Sequence, residues 1–196
     1  MLVRRTVRAE EPPWKRLTDQ DPISERSRLA IHRITLAEAN YIRQVYVSVD
    51  VGQAAAKFNY AVSVDGKLIG LLMFEGGAVR SFRIEGQVRQ SDVAYLMADL
   101  AVASERYPRL SKLVLAASLS LEMQEELERR DVRKLRYVVT TAFSRHPASM
   151  KYRGVYKLLS RERLGDLYKL NYYAPLGSTP LQDAMRQWAR KYLPAK

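Results

Sequence analysis

The chain has 196 residues, 47% of them hydrophobic, and carries 33 Lys and Arg against 21 Asp and Glu for a net charge of +12 at pH 7. That composition fits one globular domain around a single core, excludes a disordered or fibrous chain, and makes nucleic acid the first partner to consider, because Lys and Arg gain by displacing counterions from phosphates. With no cysteine and only His32 and His146, a disulfide framework, a thiolate zinc site, a cysteine nucleophile and a helical metal pair are all excluded. No apolar signal core opens the chain and no run of about 18 apolar residues spans a bilayer, so the expected setting is the reducing cytoplasm, away from membranes.

Residues 1–28 mix Arg4, Arg5, Arg8, Lys15 and Arg16 with Pro12, Pro13 and Pro22 and show little periodicity, which reads as a basic arm ahead of a single domain over 29–196. RLAIHRI (28–34) is a strand, with His32 a structural residue in it. A capping box at Thr35 and Glu38 opens a helix that runs to about Val49. FNYAVSV and KLIGLLMFEGG, joined by Asp65-Gly66, form a hairpin, since Asp-Gly supplies the positive φ angles of a type I′ turn. AVRSFRI (78–84) is expected as a third strand and DVAYLMADLAV (92–102) as a buried central one. Asp99 stands in that apolar run, so its carboxylate must be paired, protonated or facing a cavity.

SKLVLAASLSLEMQEELERR (111–130) has helical composition with a break near Ser118 and Ser120, although KLVLAAS also reads as a short buried strand. RYVVTTAF (136–143), GVYKLL (154–159) and YKLNYYA (168–174) are strands. Thr179-Pro180-Leu181-Gln182 combines an N-cap, an N1 proline and a capping glutamine, and starts a terminal helix over 179–193 with Met185, Trp188, Ala189 and Tyr192 on its docking face. The order is β-α-β-β-β-β-α-β-β-β-α: an α/β (α+β) domain with a mixed, mostly antiparallel central sheet flanked by helices.

The charge is local. From Arg133 to Lys169 there are ten Lys or Arg against Glu162 and Asp166. Lys151, Arg153, Lys157, Arg161 and Arg163 form one basic ribbon if a single strand carries them, and Arg145 adds to the same phosphate-binding set. Within this segment TTAFSRHPASMKYRG (140–154) gathers hydroxyls around His146 where a strand ends. His146 titrates near neutrality and is a candidate base or acid, but no GxSxG elbow supports a serine nucleophile. Walker and GxGxxG motifs are absent, which argues against an NTPase or a dinucleotide enzyme.

The chain order resembles the GNAT acyltransferase fold, and YVVTTAFSRHPASMKYRGVYKLLSR is similar to bacteriophage DNA-modification proteins of the Mom family. YVVTTAF matches the fifth strand of that pattern, Tyr152 its tyrosine, and Gly154-Val155-Tyr156 its glycine-aromatic step. The resemblance implies transfer of a small acyl-derived group to the exocyclic amine of adenine in duplex DNA, protecting phage DNA from restriction in a bacterial host cell. With the residues singled out above, the candidate pocket is His146, Ser149, Tyr152 and Asp99, with His146 or Asp99 as base and Tyr152 as donor. Acetyl-CoA comes as a donor by resemblance only: AVASERYPRLSK (101–112) lacks the glycines of a Q/RxxGxG/A diphosphate loop. Two other functions fit the same residues: a nucleic-acid-binding module without catalysis, and a GNAT-like transferase acting on a small amine or a protein.

Overall fold

The computed structural model describes residues 14–46, 55–78 and 80–194. Its elements run β1 (Leu29–Ile34), α1 (Leu36–Tyr46), β2 (Phe58–Val64), β3 (Lys67–Phe74), β4 (Phe82–Ile84), β5 (Gln87–Arg89), β6 (Val93–Ala101), α2 (Leu110–Ala117), α3 (Leu121–Asp131), β7 (Tyr137–Ser144), β8 (Lys157–Leu164), β9 (Leu167–Pro175) and α4 (Leu181–Tyr192). Seven strands form one sheet in the order β1-β2-β3-β6-β7-β9-β8, and β4 and β5 form a separate two-stranded ribbon. Every pairing in the main sheet is antiparallel except β6 with β7.

Local chemistry explains the elements that the sequence makes plain. Asp65 (φ 48°) and Gly66 (φ 76°) take the two positive angles that turn β2 into β3. Thr35 N and Oγ1 both donate to Glu38 Oε2, at 2.7 and 2.8 Å, and Glu38 N donates to Thr35 Oγ1 at 3.2 Å, so α1 starts on a closed capping box. The expected continuation of this helix to Val49 lies outside the described residues beyond Tyr46. Ser120 accepts from Met123 N at 3.1 Å and caps α3, which separates it from α2. His32 donates or accepts one hydrogen bond with Ser63 Oγ at 2.8 Å and lies against Trp14, a structural setting.

Of the two readings of KLVLAAS the helical one holds, with Lys112–Ala117 in α2 and Ser118 its C-cap; α2 approaches β3 so closely that a Cβ on Gly70 would stand 2.5 Å from Val114 Cγ2. Several expectations need correction. The strand expected at 78–84 shrinks to Phe82–Ile84, in the ribbon and not in the main sheet. β8 begins at Lys157, three residues later than expected, because 149–156 is a run of turns. The N-cap of α4 is Pro180, with no side-chain cap; Leu181 N instead donates to the Glu122 carboxylate of α3 at 2.9 Å, and Gln182 donates to Ser27 O. Of the arm read at 1–28, residues 1–13 lie outside the described residues. Leu17 and Ile23 are core residues, and the backbone at 15–17 pairs with Leu68.

The basic ribbon does not form. Lys151 and Arg153 sit in the turns, and a bulge at Leu158/Ser160 shifts the register of β8 on β9. Lys157 is therefore opposite Tyr173 on one face, while Arg161 and Arg163 are opposite Leu170 and Tyr168 on the other.

The sheet has two differently covered faces. α2, α3 and α4 pack on one, around a core that includes Leu72, Leu96, Val138, Tyr152, Tyr156, Leu170 and Trp188. Trp188 Nε1 donates to Arg109 O at 2.9 Å and ties α4 to the start of α2. On the other face α1 covers Leu71 and Met73, and Ile84 and Phe82 of the ribbon cover Val93, Val139 and Tyr95. Among the described residues, no helix is long and apolar enough to cross a membrane.

Candidate active site where two strands part

β6 and β7 pair only from Val93↔Tyr137 to Leu96↔Thr140. β6 runs on to Ala101 and β7 to Ser144, so their far halves separate and leave one edge of β6 unpaired. A bulge between Met73 and Phe74 of the β3–β6 pairing, at Met97, bends β6 at the parting point. The opening holds a cleft of about 450 Å³ lined by Arg43, Leu71, Met97–Ala101, Ser111, Lys151 and Tyr152.

Asp99 and Tyr152, distant in sequence, meet in this cleft. Tyr152 OH donates to Asp99 Oδ1 at 2.7 Å, and Lys151 Nζ stands 2.5 Å from Asp99 Oδ2 and donates to Asp99 O at 3.0 Å. The Asp99 side chain is 4% exposed and that of Lys151 36%, so the carboxylate lies deep in the cleft while the ammonium reaches the mouth. Tyr152 is stacked on Tyr172 (4.9 Å between centroids) and meets Tyr156 edge-on, which fixes its ring. Burial first, and then the Asp99 charge, hold the Tyr152 hydroxyl well above the ordinary tyrosine range, against a hydrogen bond from Thr140 that acts the other way. Burial likewise raises Tyr156, whose hydroxyl hydrogen-bonds Ser118 Oγ at 2.7 Å.

A residue that the sequence reading missed holds this arrangement. Lys112 lies in the first turn of α2, only 7% exposed, and its ammonium donates to Met150 O, Lys151 O and Arg153 O at 2.7, 2.7 and 2.5 Å. The turn that carries Lys151 and Tyr152 is thus wrapped around a buried cation. Burial, followed by the charges of Arg109, Lys191 and Arg153, lowers the affinity of Lys112 for its proton. A lone lysine within the apolar run KLVLAA was the available signal.

The other expected residues lie elsewhere. His146 is exposed, in the loop after β7, and is not among the residues lining the cleft. Ser149 is half-buried and its backbone N donates to Tyr172 OH at 2.7 Å, beside the aromatic stack. Arg145, Arg153, Lys157, Arg161 and Arg163 are exposed; Arg161 and Arg163 lie level with the end of β7 that Arg145 follows, and Lys157 level with Val139 in its paired half. Arg133, counted with the basic segment, is structural: it pairs with Asp131 and donates to Ser91 O and Gly77 O, both at 3.0 Å.

A parallel strand pair that parts at a bulge, within a mostly antiparallel mixed sheet flanked by four helices, is a GNAT-like fold. The phage GNAT-like domain model matches residues 26–193, and the chain belongs to that family. Its fold is similar to an acetyltransferase of the GNAT family from Streptococcus pneumoniae (12% identity, TM-score 0.43, 76% of this chain and 100% of that one). It is also similar to yncA of Salmonella typhimurium, solved with its cofactor acetyl-CoA (13%, 0.44, 76% and 95%), and to an uncharacterized protein of Bacillus halodurans (10%, 0.48, 90% and 99%). At these identities the likeness concerns the fold alone. No curated protein matches the sequence.

The fold family implies acetyl-CoA, whose diphosphate needs free amides at a helix N-terminus. The connection ahead of α2 does not offer such a cradle. Arg16 Nη2 donates to Ala103 O, Ser104 Oγ and Arg106 N donate to Asp19 Oδ1, and Leu110 N and Lys112 N donate to Tyr107 O and Arg109 O. The loop is occupied by the chain's own residues 16–19 and does not fit the diphosphate of coenzyme A.

Proposed function

We propose that this chain transfers a small acyl-derived group to the exocyclic amine of adenine in DNA, with the opening between β6 and β7 as the reaction site. The observation that carries this reading is the buried Asp99 carboxylate, hydrogen-bonded by Tyr152 and paired with Lys151 at the mouth of a cleft. The amine nitrogen attacks the carbonyl carbon of an activated acyl ester or thioester and forms the new C–N bond, and the ester oxygen or thioester sulfur departs. Asp99 takes the proton that the nitrogen loses, and Tyr152 gives its hydroxyl proton to the departing atom as the old bond breaks. The proton on Asp99 then passes along the 2.7 Å hydrogen bond to the Tyr152 oxygen and restores both groups. Lys151 offsets the negative charge that the cleft encloses. Geometry favours Asp99 over His146 as the base, because Asp99 faces the cleft and already holds the proton donor.

DNA as acceptor is supported by the charge of +12, by exposed Arg145, Arg161 and Arg163 at the end of the sheet where β6 and β7 part, by exposed Arg153 and Lys157, and by Lys151 at the cleft mouth. A base in a duplex must be extruded to reach a cleft of this kind. Ser149 stands beside the aromatic stack that holds Tyr152 and serves in acceptor binding, whereas His146, exposed on the same loop, takes no part in the reaction. The test is mass spectrometry of DNA nucleosides from cells expressing the chain: an adenine adduct that is lost with Asp99→Asn is the expected result, and unmodified DNA beside folded, abundant protein overturns the reading. The filled loop ahead of α2 favours a second reading, a nucleic-acid-binding protein without catalysis, which gives salt-sensitive DNA binding and no adduct.

A further inference from the structure

We infer that the sheet face opposite Asp99 is the platform on which single-stranded DNA flanking the target nucleotide lies, one base stacked on Phe143 and phosphates of successive nucleotides on Arg145 and Lys157. The inference deepens the function proposed above and rests on its choice of DNA as acceptor. On this face α1 covers β2 and β3, and the β4–β5 ribbon covers the paired ends of β6 and β7, where Phe82 stacks on Tyr95 at 6.0 Å. Beyond Tyr137, Val139, Leu159 and Tyr173, which pack in the ribbon's cluster, the face carried by β7, β9 and β8 bears half-buried Thr141, Asn171 and Lys169 and exposed Phe143, Ser160 and Glu162. Phe143 is 64% exposed on it, three residues past the last β6–β7 pair and so on the lip of the opening.

The polar groups of this face form one chain across the strands. Tyr95 OH donates to Thr141 Oγ1 (2.9 Å), Thr141 Oγ1 to Asn171 Oδ1 (2.7 Å), and Asn171 Nδ2 to Ser160 Oγ (2.8 Å). Each bond uses a donor once, so the direction is fixed and the Ser160 hydroxyl at its end keeps a proton for a ligand. Lys157 shares this face with Tyr173 by register, and Arg145 follows β7 directly. Neither has an acidic partner among the described residues. Lys169, opposite Phe143, is drawn to Glu162 at 3.6 Å. An exposed aromatic, a hydroxyl donor and unpaired cations spaced along one surface match a stacked base and the polar groups and phosphates of the nucleotides that follow it. An apolar peptide would leave the cations and Ser160 unused.

The experiment is fluorescence anisotropy with a labelled single-stranded deoxyoligonucleotide of about 12 nucleotides, titrated at several salt concentrations. Phe143→Ala is expected to weaken binding by about tenfold and Phe143→Trp to retain it. The double variant Arg145→Gln/Lys157→Gln is expected to flatten the salt slope by about one to two. Lys134→Gln, a side chain 93% exposed at the other end of β7, keeps full affinity. Wild-type affinity in Phe143→Ala, or an equal loss in Lys134→Gln, overturns the inference. Since Phe143 is exposed, its replacement leaves the core intact. An adenine adduct with unchanged binding by Phe143→Ala refutes the platform and leaves the proposed function standing. Weakened binding by Phe143→Ala with no adduct from wild type does the reverse.

Discussion

Replacing Lys112 by Met removes a cation from a position where the chain has placed three carbonyl oxygens. The methionine keeps most of the side chain's apolar volume, so the change is read mainly through Met150 O, Lys151 O and Arg153 O, which lose their shared donor. A hydrogen bond to a charged donor is worth about 1.5–3 kcal/mol. The three bonds share one charge, and the desolvation of a side chain only 7% exposed opposes them, so their sum overstates the net effect. Removing one partner of a buried charged arrangement costs about 3–5 kcal/mol; because the turn can relax toward water, about 3 kcal/mol is expected here. Urea unfolding followed by circular dichroism should show the midpoint falling by about 1.5 M for a slope near 2 kcal/mol per molar. Proteolysis should cut the loosened 149–156 segment first. A midpoint within about 0.3 M of wild type, at unchanged slope, would refute the role given to this ammonium.

Other outcomes follow from the same packing. Tyr60, Tyr152 and Tyr156 are all held above the ordinary value of 10.0, burial being the largest cause in each. The unfolded chain sheds these protons near pH 10 while the folded chain keeps them, so stability is unaffected below that pH and falls as pH rises beyond it. The slope is about 1.4 kcal/mol per pH unit for each such tyrosine. An ultraviolet titration of tyrosinate should show these three hydroxyls ionising above the ordinary tyrosine range in folded protein, and ionisation of all three near pH 10 would contradict this. Gly70→Ala puts a Cβ 2.3 Å from Leu100 O as well as against Val114, and should lower stability by about 2–3 kcal/mol, measured by the same urea titration. Tyr152→Phe deletes the proton donor but keeps the ring between Tyr172 and Tyr156. Adduct formation should fall by about a hundredfold or more, with the fold retained.

Features set by neighbouring residues were legible in the sequence. The Asp65-Gly66 turn, the Thr35–Glu38 box and the break at Ser120 depend on contacts three residues apart or fewer, and each stands where the residue types put it. The start of β8 was not legible, since residues 149–156 are folded by a lysine 38 to 41 positions away. The basic ribbon failed for a related reason: alternation along a strand predicts one face only while the register holds, and the bulge in β8 sends Lys157 and Arg161 to opposite sides. Asp99 announced itself as a carboxylate in an apolar run, and its partners are the Tyr152 hydroxyl and the Lys151 ammonium. The sequence had placed Lys151 on phosphate because nothing local ties residue 151 to residue 99. The Tyr95–Thr141–Asn171–Ser160 chain escaped notice for the same cause, being assembled across four strands.

The central claim is that chemistry occurs where β6 leaves β7 and not at the exposed loop that follows β7. Nucleoside mass spectrometry of DNA from cells expressing wild type, Asp99→Asn or His146→Ala in parallel tests it most directly. The expected result is an adenine adduct with wild type, its loss with Asp99→Asn, and its retention with His146→Ala. Loss with His146→Ala and retention with Asp99→Asn would contradict the claim and move the reaction to the loop.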